Sequence, residues 1–543
     1  MIAIEQADLL RSELLETQRK LAAANAALDL ANQRYERMLE QIRLAQAKRF
    51  GPSSEKTKSA EEGQPGLFDE AEAILSGISP EAIPEPTAQS LPRRDATRSK
   101  RLVQTANLPI EEVHHQLEPE ACFCAKCSGA LHAMGTEERD VLEFVPAHFK
   151  IVRHIRAQYA CRACEKRGER TAPVLAPLSS PLIPGSLASA SVLAYVLSQK
   201  YELALPLYRL EQHFLGRGLE LSRQTLANWV LSSADWFKPF YLRLRQELLK
   251  QDILHADETT VQVLHEAGRT AQSKSYMWVY CTGRDGPPLV LYDYRPTRGA
   301  SHPQCFLQGF RGTLHADGYQ VYDSLEAVRV AGCWAHARRG FDEALKSMKS
   351  LPAAAKARTL EHQGLEFCNA LFTIERKAAQ QAKEQGQVLD AAARLAYRRE
   401  KSAPKLEEFH QWLLAQSATV RPKSALGEAI GYCLNQWEKL NTFLSDGRLE
   451  IDNNRCERAV KPFVIGRKNW LFANTPAGAT SSAIIYSLVE TAKANGLVAQ
   501  TYMQYLLERL PEIAPKDGAA FNELLPWAPD VQAACAKPAP RRK

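Results

Sequence analysis

Apolar positions set the rhythm of the chain, and that rhythm changes from segment to segment. Leu14, Leu21, Leu28, Tyr35 and Ile42 recur every seven residues, and Leu10, Thr17, Ala24, Ala31, Met38 and Ala45 form a second stripe beside them. The four-then-three offset places both stripes on one helix face. Nothing breaks the helix before Gly51, so residues 1–50 are predicted as a long helix. It is either a coiled coil joining two chains or an amphipathic helix packed on its own protein. Over 51–105 the pattern dissolves, with Pro65, Pro80, Pro84, Pro86 and Pro92 excluding any long element. A β-prone stretch containing Val141, Phe144, Val145, Ile151, Val152, Ile155 and Tyr159 follows within 106–175. Helical spacing returns over 176–250, broken near Pro206 and Gly216-Arg217-Gly218.

After residue 251 the period shortens to two. Strands are predicted over 252–264, 275–282, 288–294, 312–317 and 328–332, with helices at 303–310 and around 335–346. Three strands, a helix, a strand, a helix and a strand is the order of a ribonuclease H-like mixed α/β sheet. Helical spacing dominates again over 351–441, and 442–480 and 481–543 complete the chain.

Composition narrows the class. The 543 residues are 45% apolar and 24% charged, which suits several globular domains. No apolar run reaches the roughly 18 residues of a membrane span, and the first fifteen residues lack the order of a signal peptide. A cytoplasmic protein is expected. The net charge is +7, but residues 93–101 and the tail Lys537, Arg541, Arg542 and Lys543 carry +4 each, leaving −1 for the remainder. The basic excess therefore sits on arms, either DNA tethers or solvated linkers.

Twelve cysteines are too thinly spread for a disulfide framework. Cys124 and Cys127 are separated by two residues, as are Cys161 and Cys164, and two such knuckles complete a tetrahedral zinc shell. Free or redox-active thiols are the other reading, and Cys122, His114, His115 and His132 are spare candidate ligands. Further on, Ser222 is placed to cap a helix after a Gly-containing turn. Arg223, Gln224 and Asn228 share one polar face of it, as in a helix-turn-helix reader, although plain helical packing has the same pattern.

Leu-His-Ala-Asp occurs twice, ending at Asp257 and at Asp317. Period two puts His255 with Asp257, and His315 with Asp317, on one strand face. If the two strands are neighbours, both aspartates meet at one edge, each at the end of its strand. A third acid would come from the segment 450–458, where Glu450, Asp452 and Glu457 are rivals. Asp452 reads as the start of a helix that carries Glu457, Lys461, Arg467 and Lys468. Three carboxylates suit a pair of Mg²⁺ ions in phosphodiester chemistry; the histidines admit a rival His/Asp metallohydrolase.

These motifs together resemble the large transposase of the insertion sequence 66 family, a branch of the DDE transposases. The resemblance runs over almost the whole chain. It is carried by Arg49-Phe50-Gly51-Pro52-Ser53-Ser54-Glu55-Lys56, the paired cysteines, Ile183-Pro184-Gly185-Ser186, Lys200-Tyr201 and Pro206-Leu207-Tyr208-Arg209. It continues through Leu221 to Trp229, His255-Ala256-Asp257-Glu258-Thr259, Ala316-Asp317-Gly318-Tyr319 and Cys333-Trp334-Ala335-His336-Ala337-Arg338-Arg339. Asp452-Asn453-Asn454 with Glu457 and Gly466-Arg467-Lys468-Asn469-Trp470-Leu471-Phe472 complete it.

The resemblance implies a multidomain α/β protein. A coiled coil (1–50), a linker with a basic arm (51–105), a zinc ribbon (106–175) and a helical DNA-binding region (176–250) would precede the ribonuclease H-like catalytic core (251–350 and 442–480). An all-α insertion (351–441) would interrupt that core, and a helical segment with a basic tail (481–543) would close the chain. It implies a triad of Asp257, Asp317 and Glu457 holding two Mg²⁺ ions, with Mn²⁺ as an alternative, and structural Zn²⁺ on Cys124, Cys127, Cys161 and Cys164. DNA contacts would come from Arg223, Gln224, Asn228, His336, Arg338, Arg339, Lys461, Arg467 and Lys468. The implied reaction is 3′-end cleavage and strand transfer at terminal inverted repeats, by a homo-oligomer in the bacterial nucleoid, with accessory proteins of the same element. A regulator with a dead core, and a nuclease that cuts without joining, are the alternatives.

Overall fold

The computed structural model describes residues 149–155, 158–159, 174–175, 181–348, 352–514 and 517–538. The predicted coiled coil, the linker with its basic arm, the four ribbon cysteines with their spare ligands, and Arg541, Arg542 and Lys543 lie outside the described residues. Of the ribbon region, a two-residue antiparallel pairing of Gln158–Tyr159 with Val174–Leu175 is described.

Three helices lead into the sheet. Ser189 caps α1 (Ala190–Tyr201), its hydroxyl accepting from the Val192 N–H. Pro206 opens α2 (Leu207–Leu215). Gly218, at φ +74°, turns the chain where an L side chain would be strained. Ser222 then starts α3 (Arg223–Leu249), accepting from the Thr225 N–H at 3.2 Å. At 1.5 Å per residue α3 is about 40 Å long. It buries Leu226, Trp229, Val230, Phe237, Phe240, Leu244 and Leu248, a three-and-four spacing that makes one continuous apolar stripe.

Strands β1 (Ile253–Gln262), β2 (Lys274–Thr282), β3 (Val290–Arg295), β4 (Thr313–His315) and β5 (Arg329–Ala331) form one sheet in the order β3-β2-β1-β4-β5. β1, β2 and β3 are antiparallel neighbours, and β4 and β5 run parallel to β1. The parallel side needs crossovers. Ser301–Phe306 (α4) provides part of the first; after β5 the chain enters α5 (Trp334–Ser347). The helix predicted at 303–310 thus starts earlier and ends at Phe306, with Leu307 at its C-cap.

Helices α6 (Leu360–Glu384), α7 (Ala391–Tyr397), α8 (Ala403–Ser417), α9 (Ala425–Asn435) and α10 (Trp437–Asn441) follow. They build a core of their own, with Phe372, Phe409, Leu413 and Cys433 gathered against Trp334 and Phe341 of α5. The Trp334 indole donates to the Leu440 carbonyl at 2.8 Å, so β5's exit is fixed by the end of this helical block.

The chain then returns to the sheet. α11 (Asn454–Trp470) packs on β1 and β2, α12 (Pro476–Ala494) packs on β3 and α3, and α13 (Ala499–Arg509) packs on α1. Beyond β1, Val263 bridges to Ala473, just past α11. No helix among the described residues is long and apolar enough to cross a membrane.

Candidate active site

The two Leu-His-Ala-Asp copies lie side by side. Leu254 pairs with Leu314 and His255 with His315 across the parallel β1–β4 ladder, which brings Asp257 and Asp317 onto adjacent chains two residues further on. The expectation that each aspartate ends its strand is only approached at β4, which stops at His315, two residues before Asp317. It fails for β1, where Asp257 is mid-strand. β1 continues because β2 pairs with it as far as Gln262, so Asp257 is uncovered by the early end of its other neighbour.

Asp257 Oδ1 accepts from the Glu258 N–H at 2.8 Å, and Asp317 Oδ1 from the Tyr319 N–H at 3.1 Å. Gly318, between Asp317 and Tyr319, has φ +93°, a left-handed turn that glycine adopts without strain, just past the end of β4. Burial raises the Asp257 pKa well above the ordinary carboxylate range, with Glu258, Asp317 and Glu457 adding to the shift. Those carboxylates therefore act on Asp257 as a common field.

Three acids competed for the third place, and their surroundings differ. Glu450 is held between Arg455 and His255: Arg455 donates to it at 2.8 and 3.0 Å, and His255 Nε2 lies 3.1 Å away. Burial alone would raise its pKa, but these partners hold it well below the usual range. Asp452 folds back on its own helix, accepting from the Asn454 N–H and amide at 3.1 Å. Asn453, rather than Asp452, is the N-cap of α11. Glu457, in the first turn, has a side chain only 2% exposed, and neither of its oxygens accepts a hydrogen bond. His336 Nδ1 at 3.4 Å and Arg339 Nη2 at 3.9 Å are beside it. Burial pushes its pKa up to about 7, Arg339 counters this, and Asp452 and Asp317 add to the rise. A buried carboxylate without a hydrogen bond is costly, and a divalent cation is what such oxygens fit.

The histidines of the repeat are engaged elsewhere. His255 and His315 stack with ring centroids 5.0 Å apart. His255 Nδ1 donates to Asn453 Oδ1 at 2.9 Å, and the Asn453 amide donates to the Ala256 carbonyl. Burial alone would lower the His255 pKa, but Glu450 outweighs it and the net direction is upward. Burial, with His255 alongside, drives His315 down to about 3, and His315 Nε2 donates to the Glu450 carbonyl. Together they brace β1 and β4 to the start of α11. His255 thus bonds to Asn453 through Nδ1 and faces Glu450 at 3.1 Å through Nε2, an environment that favours bracing over service in a His/Asp metallohydrolase.

The basic residues separate into two groups. His336 and Arg339 face Glu457, whereas Arg338 is buried and donates to Asn369 Oδ1 of α6 at 2.8 Å. Arg467 turns back to β1, donating to the Thr260 carbonyl and hydroxyl. Lys461 and Lys468 are exposed on α11. On α3, Arg223, Gln224 and Asn228 are exposed just after the α2–α3 turn. Arg223 pairs with Glu211 at 3.3 Å, and Gln224 donates to Asn228 at 3.1 Å.

Other residues at the site had no assigned role in the sequence. Glu258 takes hydrogen bonds from Arg298 Nε at 2.8 Å and Tyr322 at 2.7 Å, and the Arg298 guanidinium stacks 3.7 Å from the centre of the Tyr319 ring. Tyr432, from α9, donates to the Asp317 carbonyl at 2.9 Å. Glu258 was visible as the neighbour of Asp257; Tyr432, more than a hundred residues from Asp317, gave no signal.

Comparison with known proteins finds matches along most of the chain. A family model described as "Transposase IS66 family" matches residues 185–481. Models described as "zinc-finger binding domain of transposase IS66", "IS66 C-terminal element" and "Transposase C of IS166 homeodomain" match 121–165, 487–527 and 37–113. Uncharacterized protein y4jD of Sinorhizobium fredii is 33% identical over 76% of this chain and 79% of its own length. Uncharacterized protein y4qI of the same organism is 30% identical over 94% and 92%.

Proposed function

The chain belongs to the transposase IS66 family, and from that premise we propose that it cuts the 3′ ends of an insertion sequence and joins them to target DNA. Asp257, Asp317 and Glu457 are the catalytic acids, on a sheet whose order and directions suit a ribonuclease H-like core. The observation that carries this reading is Glu457, a buried carboxylate without a hydrogen bond, set on a helix that packs against the strand of Asp257.

Asp257, Asp317 and Glu457 would hold two Mg²⁺ or Mn²⁺ ions, which when bound supply Lewis-acid stabilisation of the attacking and leaving oxygens. The protein keeps these acids close through the His255–Asn453–Ala256 link and the packing of α11 on β1. His336 and Arg339, beside Glu457, face the scissile phosphate. Lys461 and Lys468 neutralise the strand leaving the site. Water attacks first and frees a 3′-hydroxyl, which then attacks a target phosphodiester; no covalent protein intermediate is needed. Arg467 and Arg338, bonded within the protein, act on DNA through the elements they hold.

Recognition of the terminal repeats falls to α3, with Arg223, Gln224 and Asn228 at its exposed start. Cys124, Cys127, Cys161 and Cys164 hold a structural Zn²⁺. The heptad helix pairs two chains for the two element ends, and smaller proteins of the same element assist. The setting is the bacterial cytoplasm, on the nucleoid.

The test supplies purified protein with Mg²⁺, a labelled inverted-repeat end and a target plasmid. Joined products that vanish in Asp257→Asn, Asp317→Asn and Glu457→Gln are expected. Cleavage that survives loss of all three acids overturns the site. Cleavage without joining identifies a nuclease. Specific binding without cleavage, in the presence of the accessory proteins, identifies a DNA-binding regulator.

A further inference from the structure

Glu457 has a second set of neighbours on the side of α5. Cys333, at the N-cap of α5, and His336, in its first turn, approach it so that one ligand atom from each residue lies within 4.8 Å of the others. His336 Nδ1 and Glu457 Oε1 are 3.4 Å apart, close to the edge of a tetrahedron with metal–ligand bonds of about 2.0–2.3 Å. His336 Nδ1 and both Glu457 oxygens are buried and make no hydrogen bond. Cys333 Sγ accepts from the Asn453 N–H at 3.1 Å, so the sulfur is held at the start of the helix that carries Glu457. The His336 side chain is 24% exposed, which leaves an approach from solvent.

The donor set is one sulfur, one imidazole nitrogen and one carboxylate oxygen. Mg²⁺ avoids sulfur and nitrogen, whereas Zn²⁺ and Cd²⁺ favour them. We propose that Cys333, His336 and Glu457 form an inhibitory binding site for a soft divalent cation, Zn²⁺ or Cd²⁺, that withdraws Glu457 from the catalytic acids. The inference rests on the reading of Glu457 as the third catalytic acid; the site itself rests only on the three side chains. Three protein ligands leave a fourth position for water. An ion there occupies a Glu457 oxygen on the α5 side, which is then no longer available to ions shared with Asp257 and Asp317. DNA cleavage stops without any loss of fold.

The experiment uses the full chain, loaded with cadmium in buffer that also contains Mg²⁺, and followed by cadmium NMR. A four-sulfur ribbon site and a one-sulfur site resonate far apart, so each is read separately. Two signals are expected in the wild type. The one-sulfur signal should disappear in Cys333→Ser and in His336→Asn, while the ribbon signal persists and reports that each variant is folded. In parallel, Zn²⁺ added beyond the ribbon equivalent should inhibit Mg²⁺-dependent end cleavage. The concentration for half inhibition should rise about tenfold or more in Cys333→Ser, relative to that variant's own uninhibited rate. A wild type with only the ribbon signal overturns the proposal, as does a one-sulfur signal that survives both substitutions. If both signals are present and cleavage fails under every Mg²⁺ condition with accessory proteins supplied, the metal site stands and the transposase reading falls.

Discussion

Glu457 concentrates the energetics of the site in one side chain. Its pKa of about 7 in the folded protein, against an ordinary carboxylate value in the unfolded chain, means that the native state binds this proton more tightly. Stability contributed by the group is therefore fully present below the ordinary carboxylate range and falls as the pH rises to about 7. Above that, an ionised carboxylate is buried at a cost of up to about 3 kcal/mol. Glu457→Gln should raise the melting temperature of metal-free protein above neutral pH and leave it nearly unchanged at about pH 5. Scanning calorimetry at the two pH values checks this; equal melting temperatures above neutral pH count against a costly buried charge. Mg²⁺ should stabilise the wild type more than the variant, which keeps only Asp257 and Asp317 to hold the ions.

Elements decide which basic residues are available to DNA. On α3 the side chain of Arg223 is 67% exposed and its pairing with Glu211 is partly solvated, so the pair adds little stability. Arg223→Ala should weaken binding to inverted-repeat DNA severalfold and reduce its salt dependence, with no change in melting temperature. Arg338 on α5 is the opposite case, buried and bonded to α6. Arg338→Ala should lower stability by about 2 kcal/mol by leaving Asn369 without that donor, while a repeat-binding titration of the folded fraction stays unchanged. If instead Arg338→Ala abolishes binding in a protein of normal stability, its contact is with DNA. Local pattern carried much of this in advance: the start of α3 at Ser222, the strand periodicity and the repeated tetrapeptide are all short-range signals. Asp257's place in mid-strand was less legible, because it depends on how far β2 runs beside β1. The fates of Arg338 and Arg467 depend on partners 31 and 207 residues away, and no sequence spacing encodes such contacts. The same holds for Glu450, a rival metal ligand in the sequence that the fold makes a brace for His255.

The described part of the chain closes on itself late. Acids that meet at one site are separated by 200 positions between Asp257 and Glu457, with a helical block between them that reaches back through Tyr432 to Asp317. The first helices of the described structure are bound to the last part of the chain, since α1 packs under α13 and Tyr201 of α1 bonds to Ser482 of α12 at 3.2 Å. That has a consequence during protein synthesis. A nascent chain still on the ribosome has made α2 and α3 long before α12 and α13 emerge, yet the apolar faces of α1 and α3 have nothing to cover them. A product ended by a stop codon near residue 475 should therefore be degraded or aggregate rather than persist as a free repeat-binding repressor. Pulse-chase of such a truncation beside the full chain checks this. A long-lived fragment that occupies the terminal repeats would show instead that the front half folds without the back.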